Sequence, residues 1–149
     1  TLAAKKCVAA ADCPVATPGE YCSFAVPVTA LPFKANGSLG LHSYFLPKGA
    51  CGAPKELGKG GGNVAYALTA AKTGTYTVTV VGTGGMDPIL YAAKDCTQLA
   101  ATCAGYADNT GEKGTETLAV AAKAGETWYV VVDAPSNVNG SFSIAVAGP

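Results

Sequence analysis

The sequence predicts an all-β fold, an antiparallel β-sandwich or jelly roll of about eight strands, and three observations carry that expectation. The first is alternation with a period of two. In GTYTVTV, Tyr76, Val78 and Val80 are interleaved with Thr75, Thr77 and Thr79, so one face is apolar and the other carries hydroxyls, and Phe142, Ile144 and Val146 repeat the pattern. The second is punctuation. Turn residues recur at 72–74, 82–85, 109–111, 124–125 and 139–140, at the spacing of short strands. The third is that no segment reads as a long helix. LAVAAKAGE (118–126) has helix-favouring alanine and lysine, but it is short and holds the β-branched Val120, so it is read as strand.

The elements follow in order. Residues 1–21 form an Ala/Pro-rich arm with cysteines and no lasting periodicity, read as an irregular, disulfide-stapled segment ahead of the domain spanning 22–149. Strands are expected at 24–29, 41–46, 64–70, 74–81, 89–92, 116–122, 127–133 and 141–147. In WYVVVD both faces are apolar: Trp128, Val130 and Val132 on one, Tyr129 and Val131 on the other. That strand should be central and covered on both sides.

Composition narrows the chemistry. A chain of 149 residues can bury a core without staples, yet it carries six cysteines. With no CxxC pair and a single histidine, zinc and haem are disfavoured, so Cys7, Cys13, Cys22, Cys51, Cys96 and Cys103 are read as disulfide partners in an oxidising, secreted setting. The chain opens at Thr1 with neither an initiator methionine nor a charged and apolar leader, so an export signal is expected to have been removed or to lie outside it. No apolar run approaches the roughly 20 residues of a membrane span. Only 13% of residues are charged, against about 25% in ordinary domains, and the net charge is zero. All basic residues are lysine, so the guanidinium fork that reads phosphates and base edges is missing and nucleic acid is not an expected partner.

The run CGAPKELGKGGGN resembles a phosphate loop only superficially. Gly52 precedes Gly58 by one residue too many for a Walker loop, Gly60 occupies the hydroxyl position, and strand-like VAYALT follows where a helix is needed. No nucleotide is expected. The glycines, Lys55 and Lys59 are read as a loop between the anchored Cys51 and the strand at Val64.

From Cys22 onward the succession CSFAVPV, Cys51 before a glycine-rich loop, NVAYALTAAKTGTYTVTVVG, MDPILYAAKDC, Cys103, YADN, LAVAAKAGETWYVVVD and GSFSIAVAG resembles the bacterial pre-peptidase C-terminal (PPC) domain in its disulfide-bearing, secreted form. The resemblance implies a non-catalytic extracellular binding module that attaches a secreted enzyme or a cell surface to polysaccharide or protein. It also implies Cys22–Cys51 and Cys96–Cys103 bonds, leaving Cys7 for Cys13; an interlaced arrangement, Cys7–Cys22 with Cys13–Cys51, is the alternative. The chain departs from the family at Asn63 and Asn109, where such domains often carry aspartate, and the arm before Cys22 lies outside the resemblance.

Candidate sites are few. His42 and Ser43 are strand neighbours on opposite faces, so they do not form a nucleophile–base pair, and no catalytic constellation is visible. For calcium, the oxygen-bearing candidates at strand ends and loops are Asp87, Asp95, Asp108, Asn109 and Asp133, without EF-hand spacing. Tyr44, Phe45, Tyr91 and Tyr106 are candidates for a binding surface, with Tyr106 expected to be the most exposed. The two NGS sites, at Asn36 and Asn139, are read as Asn-Gly turns. A second functional class, a subunit of an extracellular filament or surface layer joined by sandwich packing or exchange of a strand or the arm, is favoured by the shortage of the charges that usually blunt strand edges.

Overall fold

A computed structural model describes residues 18–19, 22–41, 50–52, 62–95, 98–135 and 140–149. Among the described residues nine strands carry the fold: β1 (Val26–Val28), β2 (Phe33–Ser38), β3 (Val64–Thr69), β4 (Gly74–Thr83), β5 (Ile89–Ala93), β6 (Cys103–Ala107), β7 (Thr115–Ala122), β8 (Thr127–Asp133) and β9 (Ser141–Ala147). One helical turn, α1 (Leu99–Thr102), precedes β6. The strands form a β-sandwich of a five-stranded sheet, ordered β1-β3-β8-β5-β6, and a four-stranded sheet, ordered β2-β9-β4-β7. Every pairing is antiparallel except β1 with β3.

Alternation delivers the core. Tyr76, Val78 and Val80 of β4 and Phe142, Ile144 and Val146 of β9 face Tyr66, Leu68, Val130 and Val132 of the other sheet, all nearly or fully excluded from solvent. Burying a side chain of this size contributes about 1.5–3 kcal/mol. Tyr66 sits edge-on to Phe33 and Phe142, with ring centroids 6.2 and 6.4 Å away, and burial pushes its hydroxyl pKa up to about 12. The Tyr76 hydroxyl donates to the Lys72 carbonyl at 2.8 Å and accepts from the Lys72 amide at 3.1 Å, tying the β3–β4 turn to the core.

Strand β8 is central, as its two apolar faces predict. Trp128, Val130 and Val132 enter the inter-sheet core, while Val131 joins Ala65, Ile89, Tyr91 and Ala93 in a second apolar cluster on the outer face of the five-stranded sheet. Ala25 and Cys51 pack against that cluster.

The structure departs from the sequence reading in four places. Residues 33–38 form β2, although Asn36-Gly37 was expected to turn. Asn36 is paired with Ser143 and Gly37 with Phe142, and a Cβ on Gly37 would collide with the Phe142 ring. The glycine admits a core aromatic rather than a bend. Strand β6 was not foreseen, because CAGYA has little β propensity; it is held by its ladder with β5, across a register shift between Ala92 and Ala93. The expected strand at 41–46 is not seen where it can be checked: Leu39–Leu41 make a 3-10 turn, and His42, Ser43, Tyr44 and Phe45 lie outside the described residues, as do Lys55, Lys59 and Asn139.

The fourth correction concerns the disulfides. Cys51 is bonded to Cys103, with 5.4 Å between their Cα atoms, which rules out both Cys22–Cys51 and Cys96–Cys103, and also Cys13–Cys51. The reason is β6, which sets Cys103 opposite Ala93 on the outer face, where the turn bearing Cys51 packs. Cys22 is disulfide-bonded too, and its partner is not among the described residues; Cys7, Cys13 and Cys96 lie outside them. The Cys51–Cys103 bond closes a span of 52 residues, for which chain entropy gives about 4 kcal/mol.

Candidate binding face

The outward side chains of the four-stranded sheet form a broad lattice of small, uncharged groups. Inward residues of β4 and β9 fill the core, so Thr75, Thr77, Thr79, Val81 and Thr83 of β4 and Ser141, Ser143, Ala145 and Ala147 of β9 must point outward. Beside them stand Lys34, Asn36 and Ser38 of β2 and Thr115, Thr117, Ala119 and Ala121 of β7. Register aligns them in rows. One row runs Lys34, Ala145, Thr79, Thr117, and the next Asn36, Ser143, Val81, Thr115.

Spacing is about 7 Å along a strand and about 5 Å between strands. Lys34 is the one charged side chain among the outward residues of these four strands. The small Ala145 and Ser143 leave a shallow depression of about 440 Å³ between Lys34 and Asn36 on one side and Thr79 and Val81 on the other. Thr79 and Thr117 hydroxyls are 3.4 Å apart, and Thr83 donates to the Ser141 carbonyl at 2.8 Å. The face therefore offers hydroxyl and amide donors and acceptors with almost no charge to desolvate.

The aromatic platform expected of Tyr44, Phe45, Tyr91 and Tyr106 is not found among the described residues. Tyr91 is 1% exposed and packs in the outer apolar cluster, whereas its cross-strand neighbour Tyr106 is 37% exposed. Their rings are tilted by 34° with centroids 6.5 Å apart. Alternation alone does not reveal that Tyr91 faces a covered surface.

The five oxygen-bearing candidates for calcium do not converge. Asp87 and Asp95 flank opposite ends of β5, and Asp133 is buried beside Asn63 at the end of β8. Only Asp87, Asp108 and Asn109 share a corner, where the β4–β5 and β6–β7 loops meet through a Lys113 amide bond to the Met86 carbonyl at 2.8 Å. Burial, then the charges of Asp108, Glu116 and Glu112, push the Asp87 pKa up; burial and then Glu116 do the same for Asp108.

Glu116 organises this corner, and the sequence reading missed it. Fully buried, it accepts the amides of Asn109 at 2.8 Å and Thr110 at 2.6 Å, the Thr110 hydroxyl at 2.7 Å and the Asn109 side-chain amide at 3.2 Å. Its lone pairs are spent on the loop. Among the described residues no group of three His, Cys, Asp or Glu side chains is arranged to hold a metal ion. A charge in a strand otherwise made of Thr, Leu, Ala and Val was the available signal.

Asp133 is the other buried acid. Its Oδ1 accepts the Ala134 amide at 2.8 Å and its Oδ2 has no hydrogen-bond partner. Burial pushes its carboxyl up to about 7, against the opposing pull of the Ala134 amide and the nearby Asn63 side chain.

Comparison with solved structures recovers the same architecture. The pre-peptidase C-terminal domain of a collagenase from Bacillus anthracis is similar with a TM-score of 0.54 at 17% identity, over 82% of this chain and 93% of that one. The fold is therefore the PPC-like β-sandwich implied by the sequence resemblance. PliG from Aeromonas hydrophila, a periplasmic inhibitor of g-type lysozyme, has a TM-score of 0.51 at 17% identity, over 83% of this chain and 94% of that one. A family 35 carbohydrate-binding module from an environmental isolate is more distant, with a TM-score of 0.36 at 18% identity over 81% of this chain and 90% of that one. No family model matches the chain, and no curated protein matches its sequence.

Proposed function

We propose that the protein is a non-catalytic extracellular binding module and that the outer face of its four-stranded sheet engages a neutral polysaccharide. The observation that carries this reading is the lattice around the depression, with Lys34, Asn36, Thr79 and Ser143 as hydrogen-bonding groups and no second charge. A neutral glycan presents hydroxyls that exchange hydrogen bonds with such a face, and Lys34 is the one ion whose water is disturbed. Individual contacts of this kind are weak, so affinity comes from many of them along a chain. An extracellular location is supported by the Cys51–Cys103 bond, since such bonds persist in oxidising compartments. No helix among the described residues is long and apolar enough to cross a membrane.

The test is retention on insoluble neutral polysaccharides. Wild-type protein should be retained, and Thr79→Glu with Ser143→Glu should lower retention at least tenfold, while Tyr106→Ala leaves it unchanged. Undiminished retention of the double variant, or no retention of the wild type on any neutral polysaccharide, overturns this reading.

A second reading, a subunit of an extracellular assembly, is supported by a separate observation. The edge strand β7 is long, regular and almost free of charge.

A further inference from the structure

Among the described residues the two sheets leave four edge strands, and three of them carry a recognised guard against pairing with another chain. Strand β1 is three residues long with Pro27 at its middle. Strand β6 faces a register shift and is tied through Cys103 to Cys51. Strand β2 projects the exposed Lys34.

Strand β7 differs. It runs for eight residues in unbroken register with β4, from Ala122 opposite Gly74 to Thr115 opposite Val81, without proline, lysine or a bulge. Its one charge, Glu116, points inward, is fully buried and is satisfied by Asn109 and Thr110, so it does not confront an approaching strand. Among the described residues no strand pairs with its second edge.

We infer that β7 is a self-association edge, on which a second copy of this chain adds its own β7 antiparallel across a two-fold axis. Directly opposed residues in an antiparallel pair share a face, so a two-fold axis normal to the sheet must pass through a residue rather than between two. An axis at Leu118 fits the side chains. On the outward face Thr117 of one copy then lies opposite Ala119 of the other, and Thr115 opposite Ala121, all small and exposed. On the inward face Leu118, half-buried at the sandwich rim beside Gly105, meets its own copy, and Glu116 meets Val120.

The composition points to a copy rather than a charged peptide. Net charge is zero, so two copies do not repel. Pairing would join two four-stranded sheets with their hydroxyl faces on the same side, doubling the lattice described above. This inference rests on the second reading and is independent of glycan binding.

A single edge contact is smaller than the roughly 1,000 Å² of a stable interface, so a dimer with a dissociation constant in the micromolar range or weaker is expected. Sedimentation velocity of the whole chain over about 10–500 µM should show reversible dimerisation. Thr117→Lys with Ala119→Lys places like charges opposite each other and should weaken the dimer at least tenfold; Thr117→Glu with Ala119→Lys places opposite charges together and should restore it. Hydrogen exchange of the unmodified protein supplies a mutation-free readout, with protection of 115–121 rising with concentration. Protein that stays monomeric throughout, a charge swap that fails to restore association, or concentration-independent exchange in β7 overturns the inference. Polysaccharide retention of the unmodified protein, measured at concentrations where it is monomeric, reports separately on the first reading.

Discussion

Replacing Asp133 by asparagine probes the cost of a carboxylate buried on the outer face of the five-stranded sheet. Asp133 is fully buried at the end of the central strand, opposite Ile89; its Oδ1 accepts the Ala134 amide, the Asn63 side chain lies beside it, and its Oδ2 has no hydrogen-bond partner. Burial raises its pKa from 3.8 to about 7. A folded-state pKa above the unfolded one means that the folded form holds the proton more tightly. Stability is therefore full below pH 4, falls as pH rises from about 4 to 7, and is level above that. A shift of about 3 units corresponds to about 4 kcal/mol. Asparagine is neutral at every pH and keeps an acceptor for Ala134, but it buries an NH2 group where the protonated acid buries a single hydroxyl, at a cost of about 1 kcal/mol. Asp133→Asn should thus be about 3 kcal/mol more stable than wild type at pH 8 and slightly less stable at pH 3. Urea unfolding between pH 3 and 9 with disulfides intact measures both, and at an m-value of about 2 kcal/mol/M the midpoint at pH 8 should rise by about 1.5 M. A wild-type midpoint that does not fall between pH 4 and 7, or a variant less stable at pH 8, would refute the reasoning.

Two further predictions concern the corrected features. Non-reducing peptide mapping should recover a Cys51–Cys103 peptide, and removing that bond by Cys51→Ser with Cys103→Ser should cost about 4 kcal/mol in urea unfolding. Gly37→Ala should lower stability by about 1–3 kcal/mol, read as a fall in melting temperature, because its methyl group enters the space of the Phe142 ring.

What the sequence made legible was whatever depends on periodicity. The alternation in β4 and β9, and the two-sided apolar run of β8, are direct imprints of a sandwich on side chains, and each stands where expected. Features set by a distant neighbour were not legible. Gly37 looks like a turn residue until Phe142 is seen lying over it, and β6 is short and alanine-rich, so its place depends on β5 and on the bond from Cys103. The disulfide pairing taken from the family resemblance failed for the same reason, since pairing follows from where β6 puts Cys103.

The candidate site was legible in part. The threonines of TYTVT were read as the solvent face of a strand, but the lattice needs the registers of β2, β7 and β9, which no single segment contains. Tyr91 is a candidate for a binding surface by residue type, yet its strand is buried on both faces, and nothing local distinguishes a covered outer face from an open one. Glu116 shows the converse. Its chemistry lies in the loop it holds, six and seven residues upstream.

Backbone amide chemical shifts, followed while a soluble fragment of a retained neutral polysaccharide is added, give the most direct test of how this surface works. Perturbations should cluster on residues 34–36, 79–81 and 143–145 and leave the loops around Asp87 and Asp108 and the vicinity of Tyr106 unmoved. Perturbations centred on Tyr106 or the acidic corner, or the appearance of cleaved sugar, would contradict a binding module that works through its hydroxyl face.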